Sequence, residues 1–212
     1  MRLKLTERDM AIMREITRWR FLLARQIKIL CGFSSQRACD RRVKKLIEAG
    51  YIERKYLIVG IPRLYMVTRK AVQTFGLPYY TPNIRIEQVR HDIAVIDTST
   101  YLIYNKGIDS ASIITERDLR HKSGFGGSPK HYPDFVYTKD NISFSVEVEL
   151  NIKKLSTLER NIKNNFKAYD VQQWFIPNDQ PKITENVTSV GKKYGGIEII
   201  PLERVIEYVR NI

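Results

Sequence analysis

Residues 36–71, QRACDRRVKKLIEAGYIERKYLIVGIPRLYMVTRKA, change their periodicity partway along. In the first part Cys39, Val43, Leu46 and Ile47 recur at helical spacing. Ser34 or Ser35 stands ahead of them as a capping hydroxyl, and Gly50 follows as the stop. The other side of this helix carries Arg37, Arg41 and Lys44, with Lys45 at its edge. After Gly50 the pattern becomes extended. Residues 51–57, YIERKYL, and 64–67, LYMV, read as two strands, with Gly60 and Pro62 marking the turn between them. Thr68 then opens a short helix from Arg69 to Phe75, closed by Gly76.

Upstream, Thr6 with Glu7 and Asp9 supplies a capping hydroxyl and first-turn acids, and Ile12, Ile16 and Trp19 follow as one apolar stripe. Leu23, Ile27 and Leu30 repeat the spacing before the tight turn Cys31-Gly32-Phe33. A helix that is apolar inside and cationic outside suits a DNA major groove, with Gln36 and Arg37 in the first turn where base edges are met. Arg54, Lys55 and Arg63 lie on or near the hairpin, within reach of phosphate or the minor groove. The order helix, helix, turn, helix, hairpin over about residues 5–76, with LIEAGYIER leading into RLYMVTRKA, resembles the winged helix-turn-helix of bacterial regulators and plasmid proteins. That resemblance implies double-stranded DNA as a partner. Many DNA binders of this build act as dimers on paired half-sites, so a homodimer is a further expected partner.

The charge distribution agrees. The net charge is +13, and residues 1–80 hold 18 Lys/Arg against 6 Asp/Glu while the rest of the chain is nearly balanced. A basic module joined to a neutral one points to a polyanion for the first part only. No stretch approaches the roughly 18 consecutive apolar residues of a membrane span, and no signal-peptide pattern opens the chain. No membrane partner is expected. Cys31 and Cys39 form neither a disulfide framework nor a zinc site, so a reduced, cytoplasmic protein is expected.

Residues 77–83, with two prolines and no period, are the expected boundary between a first domain at 1–78 and a second at 84–212. A long helix pattern follows over about 84–104, then an extended run from Ala111 to Thr115 and a glycine-rich loop from Ser123 to Ser128. Strands are expected at Asp134 to Thr138, Ile142 to Leu150, Gln173 to Ile176 and Ile197 to Ile200. Helices are expected at about 154–169, near 181–192 and from Pro201. The expected fold class is α+β overall, the second part being an α/β layer structure.

The strand from Ile142 to Leu150 puts Ile142, Phe144, Val146, Val148 and Leu150 on one face and Ser143, Ser145, Glu147 and Glu149 on the other. Glu147 and Glu149 then stand roughly 7 Å apart, and Asp134 opens the neighbouring strand. Three such acids suit Mg²⁺, which can activate water against a phosphodiester. The alternative is a solvated polar face. Helix with Glu87, then Pro133-Asp134, hairpin, Glu147-Val148-Glu149, helix and strand resembles the PD-(D/E)xK nuclease superfamily. This implies a central mixed sheet flanked by helices, as in restriction endonucleases. It also implies a metal site of Asp134, Glu147 and Glu149, joined by the helical Glu87. Glu149 stands where the pattern has its lysine, which normally positions or activates the water. Some members carry that lysine on the following helix, where Lys163 and Lys167 stand beside a stripe of Leu158, Ile162, Phe166 and Tyr169.

The whole chain resembles the replication-relaxation proteins of Gram-positive plasmids and integrative elements, through Pro133-Asp134, Glu147-Val148-Glu149, Lys167 and Tyr169. The resemblance implies a role in plasmid replication, mobilisation or its control, alongside other proteins of those processes. Glu87 and His91 share a helix face at i and i+4, and His121 and His131 flank the glycine-rich loop. Neither a Gly-x-Ser-x-Gly elbow nor a phosphate-binding loop is present. Trp174 and Phe175 suit a buried strand. Three functions remain: a sequence-specific DNA binder on an inactive nuclease-like scaffold, a Mg²⁺-dependent endonuclease or nickase, and a ligand-sensing transcriptional regulator.

Overall fold

Thr6 sets the first helix. Its amide and hydroxyl both donate to Asp9 Oδ2, at 2.7 and 2.9 Å, so helix α1 (Glu7–Trp19) starts with its first turn tied. The computed structural model describes residues 3–123 and 131–212; most of the glycine-rich loop expected at Ser123 to Ser128 lies outside them. Contacts divide the chain into two compact units, Met1–Ile96 and Asp97–Ile212.

In the first unit α1 buries Ile12, Met13, Ile16 and Trp19. A two-residue strand β1 (Leu22–Leu23) follows, then α2 (Ala24–Leu30), α3 (Gln36–Glu48), β2 (Ile52–Lys55), β3 (Leu64–Val67) and α4 (Arg69–Phe75). The three strands form one antiparallel sheet in the order β1-β3-β2. β1 differs from the helical reading of Leu23: two residues carry no period, and Leu22 and Leu23 pair with Tyr65 and Leu64 instead. The hairpin is shorter than YIERKYL, because Tyr56 and Leu57 leave the ladder after Lys55. Gly50 at φ +75 turns the chain from α3 into β2. Thr68 Oγ1 accepts from the Ala71 amide at 3.2 Å to start α4.

The stretch 77–83 has no regular structure, as its prolines dictate. The division between the compact units nevertheless falls later, after Ile96, inside helix α5 (Val89–Lys106). A single 3₁₀ turn, Ile86–Gln88, precedes α5.

The second unit is built on a five-stranded mixed sheet of β4 (Ile114–Thr115), β5 (Phe135–Lys139), β6 (Ile142–Val148), β7 (Val171–Ile176) and β8 (Ile197–Pro201), in that order. The β4/β5 and β5/β6 pairs are antiparallel and the β6/β7 and β7/β8 pairs parallel. Asp140 and Asn141, both left-handed at φ 51 and 64, close the β5–β6 hairpin. The parallel pairs need crossovers. These are made by α7 (Leu155–Ala168) and α8 (Pro181–Gly191), and α9 (Leu202–Asn211) ends the chain. A short helix α6 (Glu116–Lys122), not expected from the sequence, is started by Thr115 and Asp118 in a reciprocal cap. Leu158, Ile162, Trp174, Ile176, Ile183, Val187 and Val190 form the core between the sheet and α7 and α8. The fold is therefore α+β, with a mixed sheet and a small antiparallel one. Among the described residues no helix is long and apolar enough to cross a membrane.

Candidate nucleic-acid interface and buried carboxylate cluster

Helix α3 begins where Ser35 Oγ accepts from the Ala38 amide at 3.2 Å. Cys39, Val43 and Leu46 are buried, and Ile47 is half-buried rather than fully so. Arg37, Arg41, Lys44 and Lys45 are all exposed. Lys44 lies 3.8 Å from Glu48, but both side chains are mostly in solvent, so the pair is weak. Gln36 is less free than its first-turn position implies: its Nε2 donates to Asp40 Oδ1 at 2.8 Å.

On the hairpin Arg54 and Arg63 are exposed, and Lys55 is half-buried with Glu53 at 3.1 Å. Burial raises the Tyr65 phenol pKa and Asp40 adds to the rise, while Arg54 and Arg63 oppose it. Helix α3 packs against β2 of the hairpin. Ala24, Tyr56, Pro62, Arg63 and Tyr65 line an open groove of about 490 Å³ on this side.

Arg42, next to Arg41 in sequence, does something else. It pairs with fully buried Asp9 and donates to the Lys4 carbonyl at 3.1 Å, so it ties α3 to α1. Burial alone would raise the Asp9 carboxyl, but hydrogen bonds from Arg42 and Thr6 outweigh it and hold the pKa below the usual range.

In the second unit Asp134, Glu147 and Glu149 come from the ends of adjacent strands. The Val148 amide donates to Asp134 Oδ2 at 2.8 Å. Glu147 and Trp174 are in register on β6 and β7, so both face the side that α7 covers. The polar face of β6 is consequently not solvated: Ser145, Glu147 and Glu149 are all buried. Asn165 of α7 donates to Glu147 Oε1 at 2.8 Å, and His131 Nε2 lies 2.6 Å from the same oxygen. Glu149 pairs with Lys153. Burial raises the Glu149 pKa, and Glu147 and Asp134 add to the rise against the pull of Lys153. Burial works to lower Lys153, but the three acids together hold it up.

Lys153 is thus the cation of this cluster, and the sequence reading missed it. Its signal was the spacing Glu149-x-x-x-Lys153 just past the strand. Lys163 and Lys167 are exposed, on the side of α7 away from its buried Leu158, Asn161, Ile162 and Asn165. Phe166, expected in the buried stripe, is exposed as well, and Asn161 and Asn165 face inward beside Leu158 and Ile162. Tyr169 is half-buried; burial raises its phenol pKa, and Tyr132 and Glu147 add to the rise. Glu87 is exposed in the 3₁₀ turn of the first unit. His91 Nδ1 faces Asp92 at 3.4 Å. His121 is exposed near the end of α6. Trp174 and Phe175 are buried strand residues, as expected.

This arrangement does not fit a divalent cation held by three acids. Glu147 Oε1 is engaged by His131 and Asn165, Glu149 by Lys153, and Asp134 Oδ2 by a backbone amide. Among the described residues no group of three or more His, Cys, Asp and Glu side chains could hold a metal ion.

No family model, no curated protein and no solved structure matches this chain.

Proposed function

We propose that this protein binds double-stranded DNA sequence-specifically, with residues 5–76 acting as a winged helix-turn-helix. Helix α3 enters the major groove, Arg37 meets base edges, and Arg41, Lys44 and Lys45 hold phosphates. Arg54 and Arg63 of the hairpin extend the phosphate contacts. The observation that carries this reading is the row of exposed cations on a helix whose other side is core, beside a hairpin bearing two more. A homodimer on paired half-sites suits such a module.

In the same reading the second unit is a restriction-endonuclease-like scaffold that does not cut. Its order of antiparallel then parallel strands supports the likeness, and the self-compensated acids support the loss of cleavage. The resemblance of Pro133-Asp134, Glu147-Val148-Glu149, Lys167 and Tyr169 to replication-relaxation proteins supports a role in replication, mobilisation or control of a plasmid or other mobile element. Incubation of the full chain with supercoiled and linear duplex, with Mg²⁺, Mn²⁺ or chelator, tests the scaffold. Retarded but intact DNA is expected throughout. Metal-dependent nicking that Glu147→Ala removes would make this an endonuclease instead.

A further inference from the structure

The hairpin flanked by Arg54 and Arg63 has an apolar tip. The connection from β2 to β3 runs Tyr56-Leu57-Ile58-Val59-Gly60-Ile61-Pro62, seven residues with no charge and no side-chain donor except the Tyr56 hydroxyl, before it reaches Arg63. Apart from Gly60 and Pro62, none of these is a residue type that favours turns. Leu57, Ile58 and Ile61 are half-buried and shape its base, while Tyr56 and Val59 are displayed. Val59 is 84% exposed, more than any other large apolar side chain among the described residues, and Tyr56 is 59% exposed. Leaving such groups in water is unfavourable, and a concentrated apolar surface marks a contact.

The tip is also shaped. Ile61 N donates to Ile58 O at 3.2 Å, and Gly60 at φ +82 occupies the third place of that four-residue turn. This closes a tight turn in which a left-handed third residue is required, and it fixes Val59 at the apex. Arg54 and Arg63 stand exposed on either side below it. A tip that only followed the backbone would carry its cations at the apex. An exposed valine at the apex with cations at the flanks matches a minor-groove wedge: the cations hold phosphates while the apolar group unstacks a base step.

We propose that the turn Ile58–Ile61, led by Val59, inserts into the minor groove next to the α3 site and kinks the bound duplex. The proposal rests on the DNA-binding reading above and adds to it a deformation of the DNA. The test uses the full chain and a short duplex, selected by the full chain from a random-sequence pool and labelled at its two ends with an energy-transfer pair. Anisotropy reads binding, and transfer reads the end-to-end distance. Wild type should bind with a rise in transfer. Val59→Asp, at a solvent-exposed position that leaves the Tm unchanged, should keep affinity within roughly tenfold and return transfer to the value of free DNA. Val59→Ile should retain the kink. Binding by wild type with no rise in transfer, or a rise that survives Val59→Asp, overturns the wedge and leaves the DNA-binding reading standing. A wild-type dimer that Val59→Asp splits, on unkinked DNA, makes the tip a contact between copies and also overturns the wedge. Failure of wild type to bind any duplex removes the reading beneath it.

Discussion

In the first unit Arg37, Arg41, Lys44 and Lys45 stand in water on a helix whose inner side is core, whereas in the second unit Glu147 and Glu149 are buried and met by Lys153, His131 and Asn165. Charge left in solvent without a strong partner is available to a polyanion. Charge taken out of water must be compensated where it lies, and once compensated by the chain it belongs to the fold. The same contrast is repeated within α3, where Arg41 is exposed and Arg42 closes on a buried carboxylate. Composition alone cannot separate the two uses; position relative to the core does.

The sharpest way to break this comparison is to remove the cations that meet buried acids. Arg42→Ala strands Asp9 in the core and should cost about 3 kcal/mol in denaturant unfolding, with DNA binding lost only as the unit unfolds. Lys153→Met leaves Glu149 without its cation. The expected loss is about 2 kcal/mol, smaller because Lys153 keeps 36% of its side chain in solvent. If Lys153→Met instead left stability unchanged and made the protein bind Mg²⁺, the acids would be a latent metal site rather than part of the scaffold.

Acid should separate the units further. Asp9 has a depressed pKa, so its contribution is present at neutral pH and is lost as pH falls from about 4 through its folded value. Glu149 has a raised pKa, so its contribution is greatest in acid and declines as pH rises from about 4.3 through its folded value. Thermal unfolding across pH should show Asp9→Asn flattening the acid limb and Glu149→Gln flattening the opposite one. Slopes of the same sign for both would contradict the pairing described. The smallest effect is expected from Arg41→Ala, which should change stability by no more than about 0.5 kcal/mol while weakening DNA binding.

Much of the fold is legible in the sequence where a period runs long enough. The stripe Cys39, Val43, Leu46 marks α3 and its outer cations together, and the Asp140-Asn141 turn marks the β5–β6 hairpin. Elements too short to carry a period, β1 and α6, are not legible. Alternation on β6 separates two faces but does not say which is covered. The crossover after β6 lays α7 over the face that carries Glu147, so a Glu that reads as solvated is buried. One neighbour of the cluster was hidden for a related reason: Asn165 has an ordinary place in sequence, and only the crossover after β6 brings it to Glu147, whereas Lys153 stands four residues past Glu149.

The central claim is that the exposed cations of α3 bind duplex DNA, and its direct measurement is a salt titration of the full chain on a fluorescent duplex. Wild type and Arg37→Ala/Arg41→Ala/Lys44→Ala would be compared at equal stability. The account predicts that wild type binds with a steep salt dependence. The variant should bind more weakly, its slope shallower by roughly one for each phosphate contact removed. Equal affinity and slope in the two proteins, or no binding by wild type at low salt, would contradict it.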